Sequence, residues 1–453
     1  MSDNNQKRDK FGSTFGVIAA AAGSAVGLGN IWKFPYITGV YGGAAFLFVY
    51  LAFIVAIGLP VMLSELIIGR KSQRNAFGAF KSLAPGTPWK YIGILGVAAA
   101  FLILSFYGVV AGWSVQYISL SIQDGFSTKS PEQITSLFSK FIESPVRPVL
   151  FQLAFMIATA AIVIVGIKKG IEKFNKIFMP LLVIILIGLA IKSVTLEGAK
   201  AGLEFLFKPD FSKLTGDGIL SALGHAFFTL SLGMGTLITY GSYIRKDNNL
   251  VRTVINVTVA DTVIAILAGI AIFPAVFAFG IEPTEGPGLI FITLPNVFHQ
   301  MPGGFIFSIL FFLLLTVAAL TSSVSILEVV VAYFKEEFNM GRKGATVLAV
   351  VLISILGVLC SLSMGVLSPV LLFGLNIFDL MDWISANLLL PIGGLFIALF
   401  IGWFFGRKKV EAEVANGGKL SGVFLSIFMF LVKFVAPIAI AVVLLYKVGL
   451  LNF

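Results

Sequence analysis

Long apolar runs alternate with short polar connections along this chain. Runs near 14–38, 43–69, 91–123, 148–167, 175–194, 217–243, 250–279, 304–334, 345–363, 370–405 and 421–446 each hold about the 20 residues that carry a helix across a bilayer. The pattern predicts eleven membrane-spanning helices. Runs 91–123 and 370–405 are longer still, so these two are expected to tilt or to extend beyond the bilayer. The longest polar stretches are 124–147, 195–216 and 282–303, none of them long enough for a separate soluble domain. The last sets Pro283, Pro287, Pro295 and Pro302 around short apolar runs. It reads as a re-entrant or capping loop, with a passive surface hairpin as the alternative.

Two runs are interrupted. The first contains Gly23-Ser24-Ala25-Val26-Gly27-Leu28-Gly29-Asn30, three glycines in eight positions, and Gly costs a helix interior roughly 1 kcal/mol relative to Ala. The sixth contains Phe227-Phe228-Thr229-Leu230-Ser231-Leu232-Gly233-Met234-Gly235-Thr236. Backbone groups freed in lipid need polar company, so unwound chain at membrane depth must line a protein-enclosed or watery cavity. The alternative is a small-residue face for helix packing. Because the two breaks lie five spans apart, the second enters the membrane from the opposite side. Such pairing points to an inverted-repeat transporter with a binding site near the midplane.

Composition narrows the possibilities. Of 453 residues, 58% are hydrophobic and 12% charged, against roughly 25% charged in soluble proteins. This is a polytopic all-α membrane protein by composition. The net charge of +10 does not imply a nucleic-acid partner, because its placement follows membrane sidedness. With the N-terminus inside, 22 of the 32 Lys and Arg residues fall in cytoplasmic segments, as the positive-inside tendency requires. An odd number of spans puts the C-terminus outside. The first ten residues are too polar for a signal peptide. Cys360 is the single cysteine, and His225 and His299 are the two histidines. An intrachain disulfide and a His- or Cys-rich metal centre are therefore excluded. No nucleophile–base constellation or phosphate loop is present, so neither an enzyme nor an ATP-driven pump is expected.

Three separated motifs carry a resemblance. Gly23 to Tyr36, Phe227 to Gly233, and Leu320-Thr321-Ser322-Ser323 resemble the first-, sixth- and eighth-span signatures of the neurotransmitter:sodium symporter family. The resemblance runs from Arg8 to the eleventh span. It implies a LeuT-like 5+5 inverted repeat with broken helices 1 and 6 plus one additional C-terminal span. The chain would divide into a cytoplasmic gate segment (1–13), a first repeat (14–194), an extracellular loop (195–216), a second repeat (217–405), and a cytoplasmic loop with the last span (406–453). The implied activity is uptake of an α-amino acid with sodium by alternating access across the plasma membrane. Rival readings are a channel or leak pathway with a broken-helix filter, and a receptor that binds an amino acid without moving it. A monomer or weak homo-oligomer in the bilayer is expected.

Carried over residue by residue, the resemblance implies two sodium sites. The first would use the Ala25 carbonyl, Asn30, Thr229, Asp261 and the substrate's carboxylate. The second would use carbonyls of Gly23, Val26 and Ala318 with the Thr321 and Ser322 hydroxyls. All are oxygen donors, as hard cations demand. Asp261 stands where many members have Asn and need chloride, and His225 replaces a usual Gln, so chloride-independent transport is expected. Gly27 occupies the position of the Asp that pairs with amines in monoamine carriers, so the substrate must bring its own carboxylate. That group would meet the Leu28 and Gly29 amides and the Tyr107 hydroxyl. The amine would meet the Ala25, Phe228 and Thr229 carbonyls and the Ser231 hydroxyl. Ile103, Met234, Ser322 and Ile326 would select the side chain, and the adaptable Met234 favours bulky hydrophobic or aromatic amino acids.

The resemblance also implies two gates. Outside, Tyr107 and Phe228 would form a lid beneath a Lys33–Asp382 pair. Lys replaces the family's usual Arg and lacks its two-pronged fork, and nearby His225 would add pH sensitivity. Inside, Arg8 would pair with Glu336 near Ser242 and Tyr243, while Phe11 replaces a usual Trp and its indole donor. Glu65 is expected to hold the unwound sixth span. Lys433, inside the last span, has no evident partner.

Overall fold

A computed structural model describes residues 8–126, 129–280, 288–415 and 422–451. Lys7, Pro283, Pro287 and Lys419 lie outside the described residues. Nine helices among the described residues are long and apolar enough to cross a membrane, from 19 to 34 residues each. A tenth candidate is the bent pair α1 (Thr14–Ala25) and α2 (Gly29–Val40). The unbroken helices are α3 (Ala44–Ser72), α4 (Lys90–Ile122), α5 (Arg147–Val165) and α6 (Ile167–Val194). The sixth apolar run forms α7 (Gly216–Thr229) and α8 (Thr236–Gly241), split by six residues. Then come α9 (Leu250–Ala278) and, after the proline-rich connection, the short α10 (289–300). The chain closes with α11 (Gly304–Glu337), α12 (Arg342–Leu362), α13 (Ile377–Phe405) and α14 (Gly422–Lys447).

Local chemistry sets several starts. The Ser13 hydroxyl accepts from Gly16 N at 3.0 Å, Thr215 from Gly218 N at 3.1 Å, and Asn249 from Arg252 N at 2.9 Å. Each satisfies an N–H that a helix cannot bond internally. One expectation needs correction. The apolar run read as 370–405 does not begin as helix; residues 370–376 make a tight turn with a Leu372–Leu375 bridge, and helix starts at Ile377 behind its Asn376 cap. Phe373 is 96% exposed at that turn with φ +54°, so hydropathy alone overstates the span.

Helix α1 is enclosed by α6, α9 and α11, α7 packs on α3, and α14 rides on the periphery against α13. Both breaks therefore sit in the interior. Segment α10 is buried rather than a passive hairpin. Phe291 stacks on Phe138 at 5.3 Å and meets the Tyr117 ring at 5.0 Å, and the Tyr117 hydroxyl donates to the Phe291 carbonyl at 2.9 Å. It caps one end of the bundle.

Candidate functional site

The two breaks face each other. Between α1 and α2, Val26 turns extended (ψ +105°) and the helix axis bends by 46°. The second break, 230–235, contains three residues in the left-handed region: Ser231 at φ +54°, Gly233 at +77° and Gly235 at +74°. Glycine adopts that region freely, but serine there is strained. Partners across the interface hold it. The Ser231 hydroxyl donates to the Ser24 carbonyl at 2.9 Å, and the buried Glu65 accepts from Gly233 N at 2.7 Å. Glu65 thus holds the unwound strand as expected, whereas the Ser231 hydroxyl is engaged by the other break.

A first cluster centres on Asp261 of α9, which is fully buried. Its Oδ1 accepts from Asn30 Nδ2 at 2.7 Å and from Thr229 Oγ1 at 2.9 Å. Its Oδ2 accepts from the Tyr50 hydroxyl at 3.3 Å. Asn30 Nδ2 also reaches the Asp261 carbonyl at 3.1 Å, and Asn30 Oδ1 accepts from Gly27 N at 3.1 Å. Ala25 ends α1 two residues before Gly27, where helix geometry leaves carbonyls without an internal donor. An ionised carboxylate inside a membrane costs at least ~2.5 kcal/mol, and three side-chain donors offset part of that here. Tyr50 escaped the sequence reading because an aromatic residue in an apolar run carries no charge signal.

A second cluster joins α1 to α11. The Thr321 hydroxyl lies 2.8 Å from the Ala318 carbonyl and 3.3 Å from that of Val26. The Ser322 hydroxyl lies 3.2 Å from the carbonyls of Gly23, Ser24 and Val26. Five of these oxygens are the ones named for the second ion from sequence; Ser24 was not. Every donor is neutral, in contrast to the first cluster.

Between the clusters, Leu28 N–H donates to the Tyr107 hydroxyl at 3.0 Å. A Cβ built on Gly27 would fall 2.2 Å from Ser322 Oγ and 2.6 Å from Tyr107 Oη, so this position has no room for a side chain. Ile103, Phe228, Met234 and Ile326 are all buried. Gly29 opens α2 with Phe228 against it; a Cβ there would meet that ring at 3.4 Å.

Ion pairs close both ends. Toward α2, Lys33 Nζ reaches Asp382 Oδ1 and Oδ2 at 3.1 and 3.3 Å and lies 4.6 Å from the Phe228 ring centroid. A cavity of about 540 Å³ lies beside this pair, lined in part by Tyr41, His225, Asn387 and Lys447. His225 packs on Phe34 and Tyr50 at 5.9 and 5.3 Å, with neither ring nitrogen hydrogen-bonded among the described residues. At the other end Arg8 pairs with Glu336, and its Nε and Nη2 bond Ser242 Oγ at 2.8 and 2.6 Å. The Tyr243 ring lies beneath the guanidinium at 4.7 Å, and the Tyr243 hydroxyl donates to Glu328 at 2.7 Å. Glu328 is held in turn by Arg342 at 2.5 Å. Glu328 was missed from sequence although a carboxylate so deep in an apolar run, Ile326-Leu327-Glu328-Val329, is itself a signal.

Comparison with known proteins gives the site its context. The model of the sodium:neurotransmitter symporter family matches residues 8–136 and 133–452. An uncharacterized sodium-dependent transporter of Bacillus subtilis, YhdH, is 42% identical over 450 residues, with 99% of this chain and 100% of that protein covered. A second, of Haemophilus influenzae, is 39% identical over 456 residues, covering 98% and 99%. The fold is similar to the crystal structure of MhsT in complex with L-phenylalanine, with a TM-score of 0.92 and 52% identity, covering 97% of this chain and 100% of that one.

Proposed function

Since the chain belongs to the sodium:neurotransmitter symporter family, whose LeuT-like fold it shares with MhsT, we propose that it imports a bulky hydrophobic or aromatic α-amino acid together with two sodium ions. The observation that carries this reading is the meeting of two opposed helix breaks around Asp261, Asn30 and Thr229. The first ion takes oxygens of Ala25, Asn30, Thr229 and Asp261 and the substrate's carboxylate. The second takes those of Gly23, Val26, Ala318, Thr321 and Ser322. The substrate's carboxylate also accepts from the Leu28 and Gly29 amides and the Tyr107 hydroxyl. Its amine meets the Ala25, Phe228 and Thr229 carbonyls and Ser231, and its side chain faces Ile103, Met234, Ser322 and Ile326. That MhsT is a phenylalanine complex supports the large-side-chain preference.

Coupling follows from sharing. Because one ion and the substrate carboxylate contact each other, each raises the affinity of the other by the same factor. Each sodium entering down a 100 mV potential releases ~2.3 kcal/mol before its concentration gradient is counted. Asp261 supplies a fixed negative charge at the first cluster, so chloride is not needed to balance the ions. The excess of Lys and Arg in alternate connections puts the N-terminus in the cytoplasm and the C-terminus outside. Lys33–Asp382 is then the outer gate and Arg8–Glu336 the inner.

The deciding experiment is uptake of radiolabelled phenylalanine into proteoliposomes. Wild type is expected to concentrate it in sodium but not choline, equally well in chloride and gluconate. Asp261→Asn is expected to lose at least tenfold in gluconate. Equal ligand binding in choline removes the symport reading. Displacement by Gly, Ala or Pro alone removes the preference for large side chains, and loss of wild-type activity in gluconate removes chloride independence.

A further inference from the structure

The last helix carries one lysine the transport site does not use. Lys433 sits within α14 at a π-helical turn, Leu431–Val435, and no carboxylate lies within ion-pair distance among the described residues. Its Nζ lies 5.2 Å from the centre of the Trp403 ring, and Trp403 Nε1 donates back to the Lys433 carbonyl at 3.2 Å. The helices touch here; a Cβ on Gly402 would fall 3.0 Å from Lys433 Cγ and 3.2 Å from its Cα. Close packing of α13 on α14 therefore fixes where the lysine emerges.

It emerges onto an aromatic wall. Trp403 is 60% exposed and Phe430 58%, with Phe404 and Phe434 also exposed. The Trp403 and Phe434 rings lie 5.7 Å apart, and those of Phe430 and Phe434 5.8 Å. On a membrane helix, exposure means contact with acyl chains. Ser426, Phe430 and Lys433 share one face of α14 by their i, i+4, i+7 spacing, and Arg407 Nη2 donates to Ser426 Oγ at 3.2 Å. One cation thus stands at the rim and a second seven residues deeper, roughly 10 Å along the helix. Lys408 and Lys409 follow Arg407 on the exposed surface.

We infer that the α13–α14 face built by Arg407, Trp403, Phe430 and Lys433 binds one anionic phospholipid in the leaflet at the Arg407 end. A phosphodiester between the two cations accepts from the Arg407 fork and neutralises Lys433, whose charge within the span is otherwise uncompensated. The acyl chains cover the aromatic wall. The lysine stem has length enough to snorkel toward that headgroup. A zwitterionic lipid satisfies the same apolar wall but brings its own ammonium against both cations, so the site discriminates by charge. This inference stands independently of the transported substrate.

Native mass spectrometry of the purified full chain, titrated with phosphatidylglycerol or phosphatidylcholine, tests it. Wild type is expected to take up one phosphatidylglycerol at least tenfold more tightly than phosphatidylcholine. The double variant Lys433→Met, Arg407→Gln is expected to bring that preference within twofold, and Lys433→Arg to retain it. A fold defect is not expected, because methionine removes a charge from the membrane; retained sodium-dependent thermal stabilisation checks this. The control Lys408→Gln, Lys409→Gln keeps the preference if the site is the one described. No preference in wild type, a preference that survives in the double variant, or equal loss in the control overturns the inference and leaves a lysine that snorkels to the interface.

Discussion

The two ends of the candidate site are closed by the same type of contact built to different depths. At the α2 end a single lysine meets Asp382, whose side chain is 33% exposed, beside the 540 Å³ cavity. At the other end Arg8 is bound by Glu336, Ser242 and the Tyr243 ring, and Glu336 is itself fixed by the Asn75 amide and side chain at 2.9 and 3.0 Å. Phe11 adds a backbone bond to the Tyr243 carbonyl at 3.2 Å and an edge contact to Tyr240 at 5.6 Å. The missing indole donor is replaced by main chain and ring packing. One ion pair with a ring contact contributes less than a network of several charge-assisted bonds. The α2 end is therefore the easier of the two to open.

The largest test of that contrast is removal of Arg8. Arg8→Ala leaves Glu336 with Asn75 alone and takes away bonds worth about 1.5–3 kcal/mol each. Concentrative uptake should fall more than tenfold; unchanged uptake would remove this end's advantage. A smaller effect is expected from Tyr243→Phe, which deletes the 2.7 Å bond to Glu328 but spares the Glu328–Arg342 pair. A several-fold loss of uptake is expected, measured with Glu328→Gln to test whether the two act together. The smallest change is Lys33→Arg, which gives Asp382 a fork. Turnover should slow by two- to threefold as opening of this end becomes limiting, and a faster rate would mean that the other end limits transport.

Much of this was legible in the residue order, and the reasons differ by element. The first break was visible because Gly23, Gly27 and Gly29 cluster where a helix should be continuous. The second was visible because Gly233 and Gly235 repeat the pattern five spans later. Residues whose meaning lies in a partner were not. Tyr50 reads as ordinary aliphatic-run filler until α3 brings it to Asp261. Ser231 carries no sign of its left-handed backbone until Ser24 is seen beneath it. The 370–376 turn deceived hydropathy because its leucines and Phe373 are apolar without being helical. Lys433 gained a ring and a neighbouring cation only when α13 was laid against α14.

Hydropathy and glycine spacing by themselves determined a helical membrane protein with two interrupted spans, because the cost of naked backbone in lipid leaves few other solutions. Tertiary structure decided which donors meet Asp261, which carbonyls gather about Thr321 and Ser322, and why one closure is a single ion pair over a ring and the other a network. Those outcomes depend on side chains separated by 32 to 349 positions coming within hydrogen-bond range, and range in space is the one quantity a linear pattern does not carry.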